Sequence, residues 1–592
     1  MNIIKSRKLQ IIAALLLIAG INLYGLSDLY AITIVNDEFG YVGMAAQMAG
    51  YDWTNLLSTS QYYSYGYGII LSLLFRIGLT GTAFFRAAIV LNVVLLEISF
   101  LITCYLADKM FDCKWNVMIS LAINLYSCNL MQCKLCWSET ILYFLVWVWM
   151  LLIYQLSIKY DWKYLLGIVV VSIYMYTVHQ RCLSVIVATV GMVLILLVNG
   201  HLSRNNKCKA LLTLLFMIVL FLAVSKIKGA IIDNWYRAES TLERRIAVND
   251  YGGQVNKVKQ LVNIKMLVCL IFGMMGKLWA QAAASGMLIL FALVAALKSA
   301  IQKIVGMIRE KRILKLEQQE IIIYAATLLF LGAWMVASIY KVATLSNQKY
   351  SVIIMTRYID YIAGPMLLTG FCILIHYKDY LKDIIFSFVV MVGLTIVTYF
   401  QFTRSYQSLF VSINIASIYP GVKNIPNDLR TVLVAGAAAM LFALILLIIM
   451  NMGIRKGNIN LGIGIVSILV MGIFAYNGAA EAHYFTGYKQ EEVVEYLLPV
   501  IDYMEERNWN GTIYYVREED NYGYNFLKIL QFMLPEQKIE LVEESEIPSL
   551  AESRKKDLLL VGTEYREEFM LDAVEEGFVM DTGRICVYNL DR

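Results

Sequence analysis

Residues 35–41 read Val-Asn-Asp-Glu-Phe-Gly-Tyr and follow the first long apolar segment of the chain. Two adjacent carboxylates, Asp37 and Glu38, therefore stand just beyond a predicted membrane helix. A charge so close to a bilayer is costly unless water, a partner or a substrate compensates it. A loop that only connects helices has no need of such a pair. We therefore interpret Asp37 and Glu38 as catalytic residues of a membrane enzyme.

The composition places the whole chain in a membrane. Of 592 residues, 59% are hydrophobic and only 16% are charged, and the mean hydropathy is +0.63. Soluble domains do not have this composition, whereas polytopic membrane proteins do. The net charge of +5 conceals an acidic tail, because residues 486–592 hold 24 Asp/Glu and 11 Lys/Arg. A basic membrane part with an acidic tail indicates two environments and no nucleic-acid partner.

Hydropathy predicts an all-α membrane domain with about thirteen spans. A spanning helix needs about 20 mostly apolar residues. The apolar segment 66–79 is too short and is predicted to be re-entrant or interfacial, and the first span is predicted to be an anchor. The predicted spans are residues 9–29, 83–107, 116–134, 139–158, 163–179, 182–199, 209–226, 266–297, 320–341, 358–376, 383–401, 430–450 and 460–478.

The positive-inside rule gives the predicted orientation. With a cytoplasmic N-terminus, every second loop is rich in Lys and Arg, while long loops of mixed charge fall on the opposite side. The odd number of spans then places the C-terminus outside the cytoplasm. The basic loops contain Lys109 and Lys114, Lys159 and Lys163, Arg204 to Lys209, Lys298 to Lys315, Lys378 and Lys382, and Arg455 and Lys456.

The tail changes character at about residue 486, so we predict domains at 1–485 and 486–592. Alternating apolar runs and amphipathic helices predict a small extracytoplasmic α/β domain. It has no glycine-rich phosphate loop and no metal-ligand spacing, and we interpret it as an accessory or acceptor-binding domain. Its predicted elements are helices at 490–507, 524–533 and 566–576 and strands at 512–516, 539–542, 558–561, 578–580 and 585–588.

Further polar residues fall in the loops predicted to lie on the same side as Asp37. Glu139 opens the fourth span, where helix capping and a role in the site are equally good interpretations. His179 and Arg181 form the short turn between the fifth and sixth spans. They are candidates for a role in the site, and the alternative is a cation that is solvated or bound to lipid headgroups. Lys349 and Arg357 precede the tenth span. Arg357 could pair with Asp360 as a structural lock, and we favour the alternative that Arg357 or Lys349 faces an anion.

These residues combine an acid, a base and cations at a water–lipid boundary. That combination suits the transfer of a sugar from a polyprenyl-phosphate carrier to an acceptor hydroxyl or amine. A carboxylate takes the proton of the acceptor. Cations, or a divalent cation held by the acids, stabilise the departing phosphate. The lipid carrier would dock between helices, so no soluble nucleotide-sugar domain is required, and no other cofactor is predicted.

The first loop also resembles that of a known class. The order of a span, Asp37 and Glu38, Tyr41, Asp52 and a tyrosine-rich segment ending at Tyr67 is similar to the GT-C glycosyltransferases. Within that class it most resembles the family of protein O-mannosyltransferases and lipid A aminoarabinose transferases. The resemblance covers about residues 10–200, with an echo at 349–365. A Lys-Pro-Pro run that is frequent in the family is replaced here by Tyr65-Gly66-Tyr67-Gly68.

The resemblance implies an inverting transferase that uses a polyprenyl-phosphate sugar on the extracytoplasmic side of the membrane. It implies Asp37 as the catalytic acid/base and Glu139 as a second acid. It also implies His179 and Arg181 near the lipid phosphate. The acceptor would be a cell-envelope polymer, a glycolipid or a protein.

Two other functions fit a polytopic membrane protein. An oligosaccharide polymerase or ligase would use external Arg and His, but within one large loop and without an acid pair after the first span. A lipid-linked sugar transporter or flippase would show internal repeats and helices broken by Gly or Pro. We find no convincing repeat, and the chain has only six prolines.

Overall fold

The computed structural model is predominantly helical. It describes residues 6–33, 36–60, 62–111, 113–198, 204–236, 258–259, 261–310, 316–346, 353–402, 429–516, 523–553, 556–566 and 574–591.

Helices occur throughout the described ranges. Those of the first half are α1 Arg7–Leu23, α2 Asn36–Ala49, α3 Thr54–Ser58, α4 Gly66–Arg76, α5 Gly81–Met110, α6 Asn116–Asn124, α7 Ser127–Cys133, α8 Glu139–Ile158, α9 Trp162–Val178, α10 Leu183–Val198 and α11 Arg204–Trp235. Those of the second half are α12 Ile264–Ala284, α13 Leu288–Glu310, α14 Gln318–Ser346, α15 Arg357–Asp360, α16 Ala363–Ile375, α17 Leu381–Phe402, α18 Leu429–Arg455, α19 Ile459–Tyr496, α20 Leu498–Glu506, α21 Gly523–Met533 and α22 Ile547–Ser553.

The membrane domain is confirmed as a bundle of apolar helices. Within the described ranges, eleven helical segments are long and apolar enough to cross a membrane, and α4, α9 and α16 are shorter apolar helices. Many of their apolar side chains point outward, for example Leu16, Leu212 and Leu222 at 57–69% exposure. A bilayer would cover these side chains, because lipid replaces the protein interior as their apolar surroundings.

Two segments that were each predicted as a single span contain two helices in the structure. The segment predicted as one span at 266–297 contains two helices, α12 and α13, separated at residues 285–287. Gly286 and Met287 have φ angles of +57° and +68° there, so the helix cannot continue through them. The segment 116–134 likewise contains two short helices, α6 and α7, which break at Leu125 and Tyr126.

Three short helices, α2 to α4, form the first loop. Helix α2 carries Asp37 and Glu38 in its first turn. It packs closely against α4. At the crossing lies Gly68 of α4, where a β-carbon would come within about 3 Å of the Met44 side chain. Small residues at such a crossing let two helix backbones approach each other. The first loop is therefore a packed structure and not a flexible connection.

The tail contains the predicted small α/β fold. Its five strands are β1 Ile513–Val516, β2 Ile539–Val542, β3 Leu558–Gly562, β4 Phe578–Asp581 and β5 Ile585–Asn589. They are arranged in the order β2-β1-β3-β5-β4. Strand β1 is parallel to β2 and β3, while β5 is antiparallel to β3 and β4. Most of the helix predicted at 566–576 lies outside the described residues.

The tail packs on the first loop. Trp53 Nε1 donates to the carbonyl of Pro535 at 3.0 Å, and Asn55 Nδ2 donates to the carbonyl of Ile539 at 3.1 Å. The ring of Phe532 meets Phe84 at the start of α5. Helix α19 continues to Tyr496, so one helix joins the membrane part to the tail. The domain boundary at 485/486 therefore remains a prediction.

The opposite end of the bundle carries a different set of contacts. Arg7 at the start of α1 pairs with Asp108 at the end of α5. Gln319 at the start of α14 donates to the carbonyl of Met110 at 3.3 Å. Arg7 and Asp108 stand at the ends of α1 and α5 that are farther along these helices from the first loop. Which end faces the cytoplasm remains a prediction.

Candidate active site

Asp37 lies in the first turn of α2, where the helix dipole favours a carboxylate. Its side chain is 22% exposed, and its Oδ2 lies 2.5 Å from Nη1 of Arg357. The buried side chain of Tyr63 also lies close to this carboxylate. The acid singled out in the sequence is therefore accessible and paired with an arginine from a distant part of the chain.

Glu139, the first residue of α8, is fully buried between two arginines. Its Oε1 accepts from Arg181 Nη2 at 3.0 Å and from Arg357 Nε at 2.8 Å. Arg357 therefore bridges Asp37 and Glu139. We call Asp37, Arg357, Glu139 and Arg181 the charge cluster. It contains two acids and two cations, so the buried charges compensate one another.

Arg181 lies in the 3₁₀ turn Gln180–Cys182 between α9 and α10. Its guanidinium stacks on the rings of Tyr358 and Tyr361 at 5.4 and 5.3 Å. Its Nε and Nη1 are buried and have no hydrogen-bond partner among the described residues, and the same holds for both side-chain atoms of Gln180. A buried donor without a partner is costly. Arg181 therefore has two nitrogens available for an anion.

Arg357 is fixed by stacking as well as by charge. Its guanidinium lies 3.7 Å from the centre of the Trp137 ring. The pKa of Arg357 is raised well above its usual value by Glu139 and Asp37, in spite of burial, so the side chain is permanently charged. Asp360, three residues on, accepts from Gln281 Nε2 at 2.6 Å.

His179 is a neutral acceptor in this arrangement. Burial, reinforced by the charge of Arg181, lowers its pKa well below the usual value. Its Nδ1 accepts a hydrogen bond from the backbone N–H of Arg181 at 3.2 Å. The sequence led us to expect a cation here, but the ring instead fixes the turn that presents Arg181.

Glu38 is completely buried and points away from the exposed side of Asp37. Its carboxylate accepts from Thr33 N at 2.6 Å, from the Thr33 hydroxyl at 2.5 Å and from Cys136 N at 2.6 Å. Burial raises its pKa to about 7, although these hydrogen bonds oppose the rise. Glu38 therefore joins α2 to the segment that leads into Glu139.

The remaining predicted site residues fall into three situations. Tyr41 donates to Ser138 Oγ at 2.9 Å, and Tyr67 donates to Asn92 Oδ1 at 3.2 Å, so both brace the first loop. Asp52 is exposed, accepts from the N–H of Thr54 at the start of α3 at 3.2 Å, and is not a member of the charge cluster. Lys349 lies outside the described residues.

A cavity of about 160 Å³ adjoins the charge cluster. Its polar wall includes His179, Gln180 and Arg181, and its other walls are aromatic and aliphatic. The cavity is lined by Tyr62, Tyr63, Ser64, His179, Gln180, Arg181, Leu183, Val258, Val336, Ala337, Ile339, Tyr340 and Tyr358.

The described residues do not form a ligand set for the divalent cation considered from the sequence. No group of three or more His, Cys, Asp or Glu side chains in these ranges could hold a metal ion. Asp37 and Glu139, the two acids of the charge cluster, are both bound by Arg357.

Several site residues were not selected from the sequence. Tyr63, Trp137 and Tyr358 all contact the charge cluster, yet each belongs to an aromatic-rich stretch at a predicted membrane surface. Aromatic residues are common at such surfaces for reasons unrelated to a site. Their neighbours Asp37, Glu139 and Arg357 give the only signal that could have singled them out.

Comparisons with known proteins were made by sequence and by structure. No protein-family model matches the chain, and no curated protein matches it by sequence. Among solved structures, ArnT from Cupriavidus metallidurans bound to undecaprenyl phosphate superposes with a TM-score of 0.50. The sequence identity is 10%, and the match covers 98% of this chain and 97% of ArnT. The chain has the GT-C fold.

Two further structures with the GT-C fold were found. ArnT in the apo state matches with a TM-score of 0.49 and 11% identity, over 98% of this chain and 97% of ArnT. The oligosaccharyltransferase AglB from Archaeoglobus fulgidus, in complex with an inhibitory peptide and a dolichol-phosphate, matches with a TM-score of 0.41. That match has 10% identity and covers 98% of this chain and 74% of AglB. The superposition on ArnT bound to undecaprenyl phosphate confirms, at the level of the fold, the GT-C resemblance predicted from the first loop.

Proposed function

We propose that this protein is an integral membrane glycosyltransferase that moves a sugar from a polyprenyl-phosphate carrier to an extracytoplasmic acceptor with inversion. The GT-C fold, shared with an ArnT structure that holds undecaprenyl phosphate, supports this class of reaction. The acceptor is a cell-envelope polymer, a glycolipid or a protein.

The observation that carries the proposal is the position of Arg181 in the wall of the cavity. Its two unpartnered nitrogens and the amide of Gln180 meet a space bounded by Leu183, Val336 and Ile339. A phosphate would satisfy the buried donors through charge-assisted hydrogen bonds. The aliphatic side of the cavity suits the first units of a polyprenyl chain. One cavity thus offers both chemistries of a lipid phosphate.

Asp37 is the proposed base. The acceptor oxygen or nitrogen attacks the anomeric carbon on the face opposite the phosphate, and its proton passes to an Oδ atom of Asp37. The new bond forms as the bond between the anomeric carbon and the phosphate oxygen breaks. The bonding electrons leave with the phosphate. One displacement of this kind inverts the anomeric configuration.

The other members of the charge cluster have supporting roles. Arg181 and Arg357 stabilise the charge that develops on the departing phosphate, because fixed donors in a dry site need no reorganisation. Glu139 holds both guanidiniums in place through one oxygen. Lys349, eight residues before Arg357, is proposed as a further cation for the phosphate.

The test is the turnover of lipid-linked sugars. Membranes that carry the wild type, Asp37→Asn or Asp28→Asn would be incubated with a mixed pool of polyprenyl-phosphate sugars and a cell-envelope extract. Mass spectrometry would follow the loss of each lipid. Asp28 is a matched control, because it is an exposed acid nine residues before Asp37. We expect the wild type and Asp28→Asn to consume one sugar lipid, and Asp37→Asn to lose at least about 100-fold in rate.

Other outcomes are equally informative. Equal consumption by Asp37→Asn and the wild type would show that Asp37 is not the base. Movement of an intact sugar lipid across the bilayer, with no loss of sugar, would favour the transporter. Elongation of a lipid-linked oligosaccharide would favour the polymerase or ligase.

A further inference from the structure

Gln180 presents an amide to the cavity beside Arg181. It is the first residue of the 3₁₀ turn Gln180–Cys182, and both side chains line the cavity. The two polar atoms of the amide, Oε1 and Nε2, are buried and have no hydrogen-bond partner among the described residues. Burying a polar group without a partner costs free energy, so an amide in this position indicates that a ligand supplies the partner.

The turn that carries Gln180 is fixed by its neighbours. The N–H of Cys182 donates to the carbonyl of His179 at 2.9 Å and closes the turn. The first loop packs against the end of α9 just before it, at Gly66, where a β-carbon would lie 2.6 Å from the backbone of Thr177. The unpartnered amide is therefore held in place at the wall of the cavity.

A phosphate can satisfy only half of this amide. The Nε2 group donates hydrogen bonds, whereas Oε1 only accepts them. A phosphate diester carries no proton, so it can accept from Nε2 and from the unpartnered nitrogens of Arg181 but cannot donate to Oε1. Exchanging the two ends of the amide changes nothing, since both atoms lack a partner. The cavity therefore suits a ligand that places an O–H or N–H beside its phosphate.

Given the proposed function, the donor sugar supplies such a group. The acceptor approaches the anomeric carbon from the side of Asp37, opposite the phosphate, so the group beside Arg181 belongs to the donor. In a sugar phosphate, the nearest groups are the ring oxygen, which has no proton, and the substituent on the second carbon. A hydroxyl there donates one hydrogen bond and accepts another, which matches the pair Oε1 and Nε2 of Gln180.

We propose that Gln180 recognises the substituent on the second carbon of the donor sugar and selects donors that carry a hydroxyl or an acylated amine there. This role rests on the proposed function and narrows its substrate class. A site built to bond a hydroxyl rejects the analogue that lacks it, because a buried polar atom is then left unpaired.

The surroundings of the amide suit a sugar. Four tyrosines line the same cavity, and a few polar groups in such an apolar and aromatic pocket give a site its specificity. The tyrosines are Tyr62, Tyr63, Tyr340 and Tyr358.

A binding experiment separates recognition of the sugar from its transfer. Purified full-length protein would be titrated with farnesyl phosphate and with farnesyl-phosphate hexoses, N-acetylhexosamines and pentoses, each paired with its 2-deoxy counterpart. We expect the wild type to bind one substituted sugar lipid about tenfold more tightly than its 2-deoxy counterpart, because one buried hydrogen bond is at stake. Gln180→Leu should bind both members of that pair equally. It should still bind farnesyl phosphate, because Arg181 remains.

Two controls distinguish recognition from a structural role. Gln155→Leu changes a glutamine near the other end of α8 from Glu139, which donates to the hydroxyl of Tyr105 at 3.0 Å, and should discriminate like the wild type. Without ligand, Gln180→Leu should melt no lower than the wild type, because a buried amide without a partner is removed. A general defect in the site would weaken both members of a pair alike and leave their ratio unchanged.

Three results would overturn this role of Gln180. They are equal binding of every pair by the wild type, retained discrimination in Gln180→Leu, and a lower melting temperature of this variant, which would show that the amide has a partner within the protein. In each of these cases, binding of farnesyl phosphate by the wild type would leave the proposed function standing. Failure of the wild type to bind farnesyl phosphate or any sugar lipid would contradict the proposed function itself.

Discussion

Two acids that are neighbours in the sequence have different surroundings in the candidate site. Asp37 and Glu38 are adjacent in the sequence, yet one is accessible and bound by Arg357 while the other is sealed inside the protein. A one-residue step along a helix turns a side chain by about 100°, so neighbours face different surroundings. The acid pair was found from the sequence because charges beside an apolar span are conspicuous. Which of the two faces the cavity depends on the packing of α2.

Glu38 makes the stability of the protein depend on pH. Its pKa is about 7 when folded and 4.5 when exposed, so the unfolded chain releases the proton first. Stability attributable to Glu38 is complete below about pH 4.5 and declines as the pH rises through 7. The full loss is on the order of 3 kcal/mol. Glu38→Gln cannot ionise, so we expect its melting temperature, relative to the wild type, to increase steadily from pH 5 to pH 8.

The quantity to compare is how the difference in melting temperature changes with pH. A constant offset adds to this change, because glutamine at position 38 loses a hydrogen bond at every pH. Glu505→Gln, which changes an exposed acid on α20, serves as the control and should give no slope. A constant difference between Glu38→Gln and the wild type across this pH range would contradict the expectation.

At the scale of elements, the segment before α2 is held by the last long helix. Gln490 on α19 is buried, and its Oε1 accepts from Tyr30 N at 2.7 Å and from Ala31 N at 3.2 Å. Its Nε2 donates to the carbonyl of Ala31 at 2.7 Å. Arg86 Nε donates to the adjacent carbonyl of Leu29 at 3.0 Å. The first span and helix α2 are therefore joined by a fixed segment.

Gln490→Ala should release this segment. Three hydrogen bonds are lost and two backbone N–H groups are left buried, at a cost of about 2–3 kcal/mol. We expect amide hydrogen exchange at residues 30 and 31 to accelerate by about tenfold or more. Gln302→Ala, at an exposed position on α13, should leave exchange there unchanged. Unchanged protection in Gln490→Ala would mean that Arg86 alone is sufficient.

The sequence predicted most elements but not their interruptions. Hydropathy is averaged over many residues, so the apolar run 266–297 reads as one span. The break at Gly286 and Met287 is local and depends on two backbone conformations. The charge cluster was even less accessible, because Glu139 and Arg357 are 218 residues apart. Each residue was noticed singly, whereas their pairing is a property of the folded bundle.

At the scale of the whole molecule, the tail is attached to the first loop, beside the proposed site. Its helix α21 places Lys528 over the ring of Phe39 on α2, and Trp53 on the first loop donates to Pro535. The tail was predicted as a small α/β domain from its alternating pattern. Its strand order and its docking could not be predicted, since both depend on contacts between distant segments.

Trp53→Phe should loosen this attachment. The replacement ring can keep the stacking on Phe39, where the centroids are 5.7 Å apart, but it cannot donate to Pro535. The loss of about 1 kcal/mol should raise the open population about fivefold, and with it the rate of limited proteolysis between the tail and the bundle. Trp162→Phe, at the exposed start of α9, is the matched control. Equal rates for both variants would argue against the Trp53 contact.

The hydrogen bonds between Gln490 and residues 30 and 31 also have a consequence for biosynthesis. Ribosomes make the chain from its N-terminus, so residues 30 and 31 are inserted long before their partner exists. About four-fifths of the protein must be translated before Gln490 can reach them. Until then, the nascent chain has Arg86 but not Gln490 to hold the segment that leads to Asp37. Completion of the last long helix supplies the missing partner, so the segment before α2 is fixed late in synthesis.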